Sequence, residues 1–134
     1  MPQALTPYTR VEYILDPIFN AVALDAERSA TINMRGYSAI KLWINATRVA
    51  YTAVSIQVQS KHPKTSSFHK EPVVSSISSS GVGDVDEYTA TYTTSSSDLW
   101  CVIIPVIGDN VQIQISSTAG GGTDLATVYA AKLA

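Results

Sequence analysis

Strict alternation of apolar and polar residues recurs along this 134-residue chain, and it restricts what the chain can fold into more than any other feature. In SAIKLWINA, Ile40, Leu42 and Ile44 point one way while Lys41, Trp43 and Asn45 point the other. Val54, Ile56 and Val58 alternate with Ser55, Gln57 and Gln59, and Val111, Ile113 and Ile115 alternate with Gln112, Gln114 and Ser116. A period of two places each apolar set on one face of a strand, so these are half-buried antiparallel strands with one face on a core. No segment shows the 3.6-residue period of an amphipathic helix.

Less regular segments fill the gaps. Tyr8 to Leu15 and Ile18 to Leu24 read as two strands broken by Asp16-Pro17, and Ala30 to Met34 as a third before a turn at Gly36. EYTATYTT (Glu87 to Thr94) is rich in β-branched and aromatic residues and reads as a strand. Leu99 to Val106 is apolar on both faces, which suggests a central strand, with Cys101 as a small buried hydrophobe. The Gly120-Gly121-Gly122 turn leads into a closing strand that buries Leu125 or Ala126, then Val128 and Ala130. About eight strands result, and the expected fold is an all-β antiparallel sandwich, jelly-roll-like, as one domain over residues 11–134. Residues 1–10 read as an extended arm, and Lys61 to Asp86 as one long loop, within which Val73-Val74 could add a short strand.

Composition narrows the function. Charged residues make up 15% of the chain and hydrophobic ones 46%, while 16 Ser and 13 Thr give 29 hydroxyl residues. The exterior is therefore mostly neutral and polar, and a net charge of −2 gives no basis for general nucleic-acid binding. The charges are unevenly placed. Arg28 to Lys70 holds seven bases and no acid, and Glu71 to Ala131 seven acids and no base. If Lys61, Lys64 and Lys70 project from one side and Asp84, Asp86, Glu87, Asp98 and Asp109 from another, subunits could associate head to tail. In a sandwich, strands distant in sequence interleave, and much of the split could also cancel in space.

Chemistry is sparse. The two histidines, His62 and His69, lie in one loop among lysines without a third metal ligand, and Cys101 cannot form an internal bridge. The acidic group Asp84, Asp86 and Glu87 reads as a solvated turn, since the ligand ring of a calcium loop is missing. The glycine triplet lacks the lysine and helix of a phosphate loop. No catalytic residue, cofactor or metal is expected, and the longest apolar run, about nine residues with Pro105 inside it, is too short to span a bilayer as a helix. The opening residues lack the layout of an export signal, so synthesis in a cytoplasm is expected. Trp43 faces outward, with Tyr37, Tyr51, Tyr88 and Tyr92 as possible neighbours; such a cluster serves a subunit interface, packing under a loop, or sugar stacking.

The run from Gly36 to Asn45, the strand Val54 to Ser60, the Ser/Gly-rich excursion, LWCVIIP (Leu99 to Pro105), VQIQI (Val111 to Ile115) and TVYAAKL (Thr127 to Leu133) together resemble the small all-β auxiliary virion proteins of tailed bacteriophages. The resemblance covers roughly residues 36 to 134 and rests on a cadence of strands. It implies a non-enzymatic decoration or cement protein on the capsid exterior, a homo-oligomer with a trimer favoured, whose partners are itself and the major capsid protein, without nucleic acid or membrane. The interface residues then expected are Pro2, Leu5 and Tyr8 of the arm, Trp43, the loop residues Lys61, Lys64, Phe68 and Lys70, and the acidic group Asp84, Asp86 and Glu87. A head-tail connector or tail component is the first alternative, and a carbohydrate- or receptor-binding sandwich the second.

Overall fold

The computed structural model describes residues 8–72 and 88–134. The expectations for Pro2, Leu5, Val73-Val74, Asp84, Asp86 and Glu87 lie outside the described residues.

The described residues form nine strands: β1 (Val11–Ala23), β2 (Arg28–Asn33), β3 (Ala39–Thr47), β4 (Ala53–Ser60), β5 (His69–Lys70), β6 (Ala90–Thr93), β7 (Asp98–Pro105), β8 (Asn110–Thr118) and β9 (Leu125–Leu133). One sheet has the order β1-β9-β3-β7; in the second, β2-β8-β4 continues to β5, and β6 pairs with β4 beside it. The pairing is antiparallel throughout. Apart from the two-residue β5, the chain pairs from its ends inward: β1 with β9, β2 with β8, β3 with β7, β4 with β6. Successive pairs fall in alternate sheets, which is a jelly roll, the chain doubled on itself and rolled into a sandwich.

The alternation read from the sequence fixes the register. Ile40, Leu42 and Ile44 face Val54, Ile56, Val58, Val111, Ile113 and Ile115 across a core in which each is at most 2% exposed. Ala126, Val128 and Ala130 point inward on β9, which assigns the closing strand to Ala126 rather than Leu125. Burying each of the larger aliphatic side chains contributes about 1.5–3 kcal/mol.

Two expectations change. Asp16-Pro17 does not divide the first segment: β1 runs through it, with register shifts between Ile14 and Phe19 and between Phe19 and Val22, and Ala21 at φ 49°. Proline is tolerated because β1 is an edge strand, where an N–H can be missing without loss to the ladder. In contrast, β7 is not central. Among the described residues it pairs with β3 alone, at the edge of the first sheet.

One end of the sandwich is fastened by Asp124, whose side chain is fully buried. Its Oδ1 accepts from the backbone N–H groups of Val49, Ala50 and Tyr51 at 2.6, 2.8 and 3.2 Å, and its Oδ2 from Gly121 at 2.7 Å. The Gly121 bond foremost, followed by the other three, holds the carboxyl far below the usual carboxylate range, outweighing burial, which pushes it up. Its own carbonyl accepts from Leu24 N at 2.8 Å. Beside it, a side chain on Gly120 would collide with Ser117 Oγ and come within 2.8 Å of Leu24 O, so the glycine triplet is a close approach as well as a turn.

In Asp124→Asn one oxygen still accepts, but the NH2 that replaces the other faces either the Gly121 N–H or the N–H groups of Val49, Ala50 and Tyr51, donor against donor. Asp124→Asn is expected to lower the melting temperature by roughly 10 °C or more. A folded-state pKa below the unfolded value of about 3.9 gives stability that is complete above that value and is lost as pH falls below it. Thermal melts from pH 6 to pH 2 should therefore show a steeper acid loss in the native chain than in Asp124→Asn.

Candidate functional site

The two outer faces of the sandwich differ in kind. On the second sheet, Ser55, Gln57 and Gln59 of β4 lie beside Ser116, Gln114 and Gln112 of β8. Gln59 Nε2 donates to Gln57 Oε1 at 2.6 Å and to Gln114 Oε1 at 3.2 Å, and Gln114 Nε2 donates to Gln112 Oε1 at 3.2 Å. The amides thus bond one another along and between the two strands, and the pairing of Lys70 with Gln59 brings a charged side chain to the margin of this face.

The outer face of the first sheet is apolar. The register lines up Tyr13, Ala131, Lys41 and Ile103 in one row, and Tyr129, Trp43 and Cys101 in the next. Leu99 follows on β7 and Leu15 on β1. Tyr13 is 64% exposed, Leu15 86%, Leu99 72% and Tyr129 46%. Among the described residues nothing packs over this face, and Lys41 is its one charged side chain within those rows. Trp43 is half-buried between neighbours: the Tyr13 ring lies 6.0 Å away, tilted by 32°, and Lys41 Nζ sits 4.9 Å from the indole centroid. Shallow depressions of about 430 and 450 Å³ flank Trp43 and Tyr129, one toward Leu99 and Cys101, the other toward Tyr13 and Leu15.

Trp43 therefore faces outward as its alternation requires, but its aromatic neighbours are Tyr13 and Tyr129. Tyr51 is fully buried, its hydroxyl donating to Ser96 O at 2.9 Å. Tyr37 stands at one end of the sandwich, with Arg10 and Lys132 at 4.7 and 5.0 Å from its ring and its hydroxyl donating to Glu12 at 2.6 Å. Tyr92 stacks on Trp100 at 4.5 Å and donates to Asp98 at 2.8 Å, closing the gap between β6 and β7. That bond, followed by one from Leu99 N, holds the Asp98 carboxyl below its ordinary value. Cys101, expected as buried, is exposed, because its strand presents odd-numbered residues outward at the sheet edge.

The remaining expected interface residues lie elsewhere. Tyr8 is half-exposed just before the point where Thr9 and Arg10 donate to Ala134 O. Lys61, Lys64, Phe68 and Lys70 belong to the β4–β5 segment at the end of the sandwich and are not part of the face around Trp43. Phe68 is half-buried, with Lys61 Nζ 5.7 Å from its ring, and does not form a free apolar tip. Asp109 sits at this same end, its turn packed against Ser60 and Lys61, so the basic and acidic stretches interleave here. His62 and His69 line a depression of about 390 Å³ that has no carboxylate among its lining residues. Among the described residues, no three His, Cys, Asp or Glu side chains gather as a metal-binding group.

No protein-family model matches the sequence. A comparison with curated proteins also gives no match. Among solved structures the chain is similar to one described as "CBM4 structure and function", at a TM-score of 0.43 and 10% identity over 89% of this chain, and it spans 64% of that chain's length. It is also similar to the SPBc2 prophage-derived protein YomS, at a TM-score of 0.42 and 10% identity over 97% of this chain and 100% of that one. At these scores the likenesses carry no argument about function.

Because the outer face makes few folding contacts, Leu99→Ser and Tyr129→Ser are expected to change stability by no more than about 0.5 kcal/mol. Leu42→Ala, on the inner face of the same sheet, is expected to cost about 2–5 kcal/mol. Urea unfolding of the three variants checks the contrast.

Proposed function

We propose that this chain is a non-enzymatic structural subunit that works by assembly, burying the outer face of the β1-β9-β3-β7 sheet against other protein. The observation that carries the reading is that face itself, with Tyr13, Leu15, Leu99 and Tyr129 all at least 46% exposed around a tryptophan. Exposed apolar surface of this extent on a small domain marks an interaction site, and aromatic residues supply most of the energy when such a surface is buried. The neutral exterior elsewhere supports it, since hydroxyls and amides are less costly to desolvate than Lys and Glu.

The setting follows from the sequence resemblance: a decoration or cement protein on the head of a tailed phage, self-associating and bound to the major capsid protein. A protein that binds the closed shell and not its loose subunits stabilises the shell by mass action. Linking copies to one another adds avidity without new contacts. Cosedimentation with assembled phage heads, and in parallel with unassembled capsid subunits, tests this. Saturable binding to heads alone is expected, weakened about tenfold or more by Leu99→Glu and by Tyr129→Glu. Equal binding to loose subunits, or binding unchanged in both variants, overturns the reading. The depressions beside Trp43 and Tyr129 favour a second reading, a glycan-binding face, for which a glycan array with Trp43→Ala as control is the test.

A further inference from the structure

The free edge of β7 has a hydrogen-bonding pattern that matches its own antiparallel copy. Arg10 and Ala134 exchange both backbone bonds, so the even residues of β9 turn their N–H and C=O groups toward β1 and the odd ones toward β3. The register carries this alternation onward: odd residues of β3 bond to β9 and even ones to β7. Val106 N donating to Ser38 O continues the same parity. Leu99, Cys101, Ile103 and Pro105 therefore direct their backbone groups away from the sheet, into the free edge.

Two of those four positions offer no donor. Leu99 N–H is taken by Asp98 Oδ1 at 2.9 Å, and proline has no N–H. Between these blocks the N–H groups of Cys101 and Ile103 have no partner among the described residues, on a regular eight-residue strand with no charged side chain between Asp98 and Pro105. Edge strands that must stay unpaired are usually bulged, charged or very short. The opposite edge, β1, has two register shifts and Pro17; β6 has four residues and β5 two. The β7 edge has none of these protections between its two closed positions.

We propose that a second copy of this chain docks antiparallel along β7 about a two-fold axis through Val102, each copy's Cys101 exchanging both backbone bonds with the partner's Ile103. All four open donors are then used, and the capped Leu99 faces the partner's Pro105, closed position against closed position. An axis at Cys101 would set Ile103 against the capped Leu99 and leave that pair half made. The two first sheets become one eight-stranded sheet with their apolar outer faces joined. This rests on the self-association proposed above and specifies where it occurs.

Two variants test it on the full chain. At the axis the facing Val102 positions come within about 4.5 Å between Cα atoms, inside disulfide range. Val102→Cys with Cys101→Ser should cross-link almost completely under mild oxidation, giving a species of twice the chain mass. The native chain should not cross-link through Cys101, about 7–8 Å from the partner's Cys101 across the diagonal. Ile103→Pro removes an outward N–H that makes no bond among the described residues, so circular dichroism should show the fold retained while sedimentation shows the dimer weakened about tenfold or more. Cross-linking of the native chain at Cys101 overturns the register. A closed trimer, or a dimer indifferent to both variants, overturns the β7 pairing and leaves self-association standing. A monomer at every concentration overturns both.

Discussion

One buried carboxylate organises an entire end of this sandwich. Asp124 binds the β3–β4 connection through Val49, Ala50 and Tyr51, and the glycine turn through Gly121, while its backbone carbonyl holds the end of β1 at Leu24. Tyr51, fixed by the first of these contacts, reaches Ser96 O with its hydroxyl, and Arg48 N donates to Ser97 Oγ, which brings in the turn before β7. A jelly roll must bring segments distant in sequence together at its ends, and backbone N–H groups left there without water or partners would be costly. A carboxylate has enough lone pairs to accept from several segments at once.

With that end closed, the two sheets are free to present different surfaces. The glutamine side chains of β4 and β8 bond one another and Ser55 bonds Thr91 of β6, and polar groups so paired have little to gain from a partner. Tyr13, Trp43, Tyr129 and Leu99 are in the opposite condition, since burying them would release water from apolar surface that folding leaves exposed. A chain with 15% charged residues thus divides its exterior between a polar face and an apolar one.

The core and the jelly-roll architecture were legible wherever alternation was strong, because Ile40, Leu42, Ile44 and the Gln-rich strands differ sharply between faces. The apolar outer face was legible only at Trp43. Tyr13 lay in a segment divided at Pro17, and Tyr129 was passed over among small residues. The exposure of Leu99, Cys101 and Ile103 is hidden for a physical reason: a strand apolar on both faces looks the same whether its second face meets a core or solvent. The position of β7 at an edge is set by pairing with β3 more than fifty residues earlier, which no local pattern reports. In the sequence Asp124 is one of the seven acids after Lys70, and three of the four N–H groups that define its role lie more than seventy residues away.

The bends in β1 have a consequence for how far any sheet of this protein can grow. Fibres form when a contact leaves a fresh, equivalent surface for the next copy. A sheet extended across β7 would have β1 at both of its outer margins, each interrupted by two register shifts and by Pro17. Such a margin offers no continuous ladder to a further strand. Growth of that sheet by strand addition would therefore stop at a closed pair.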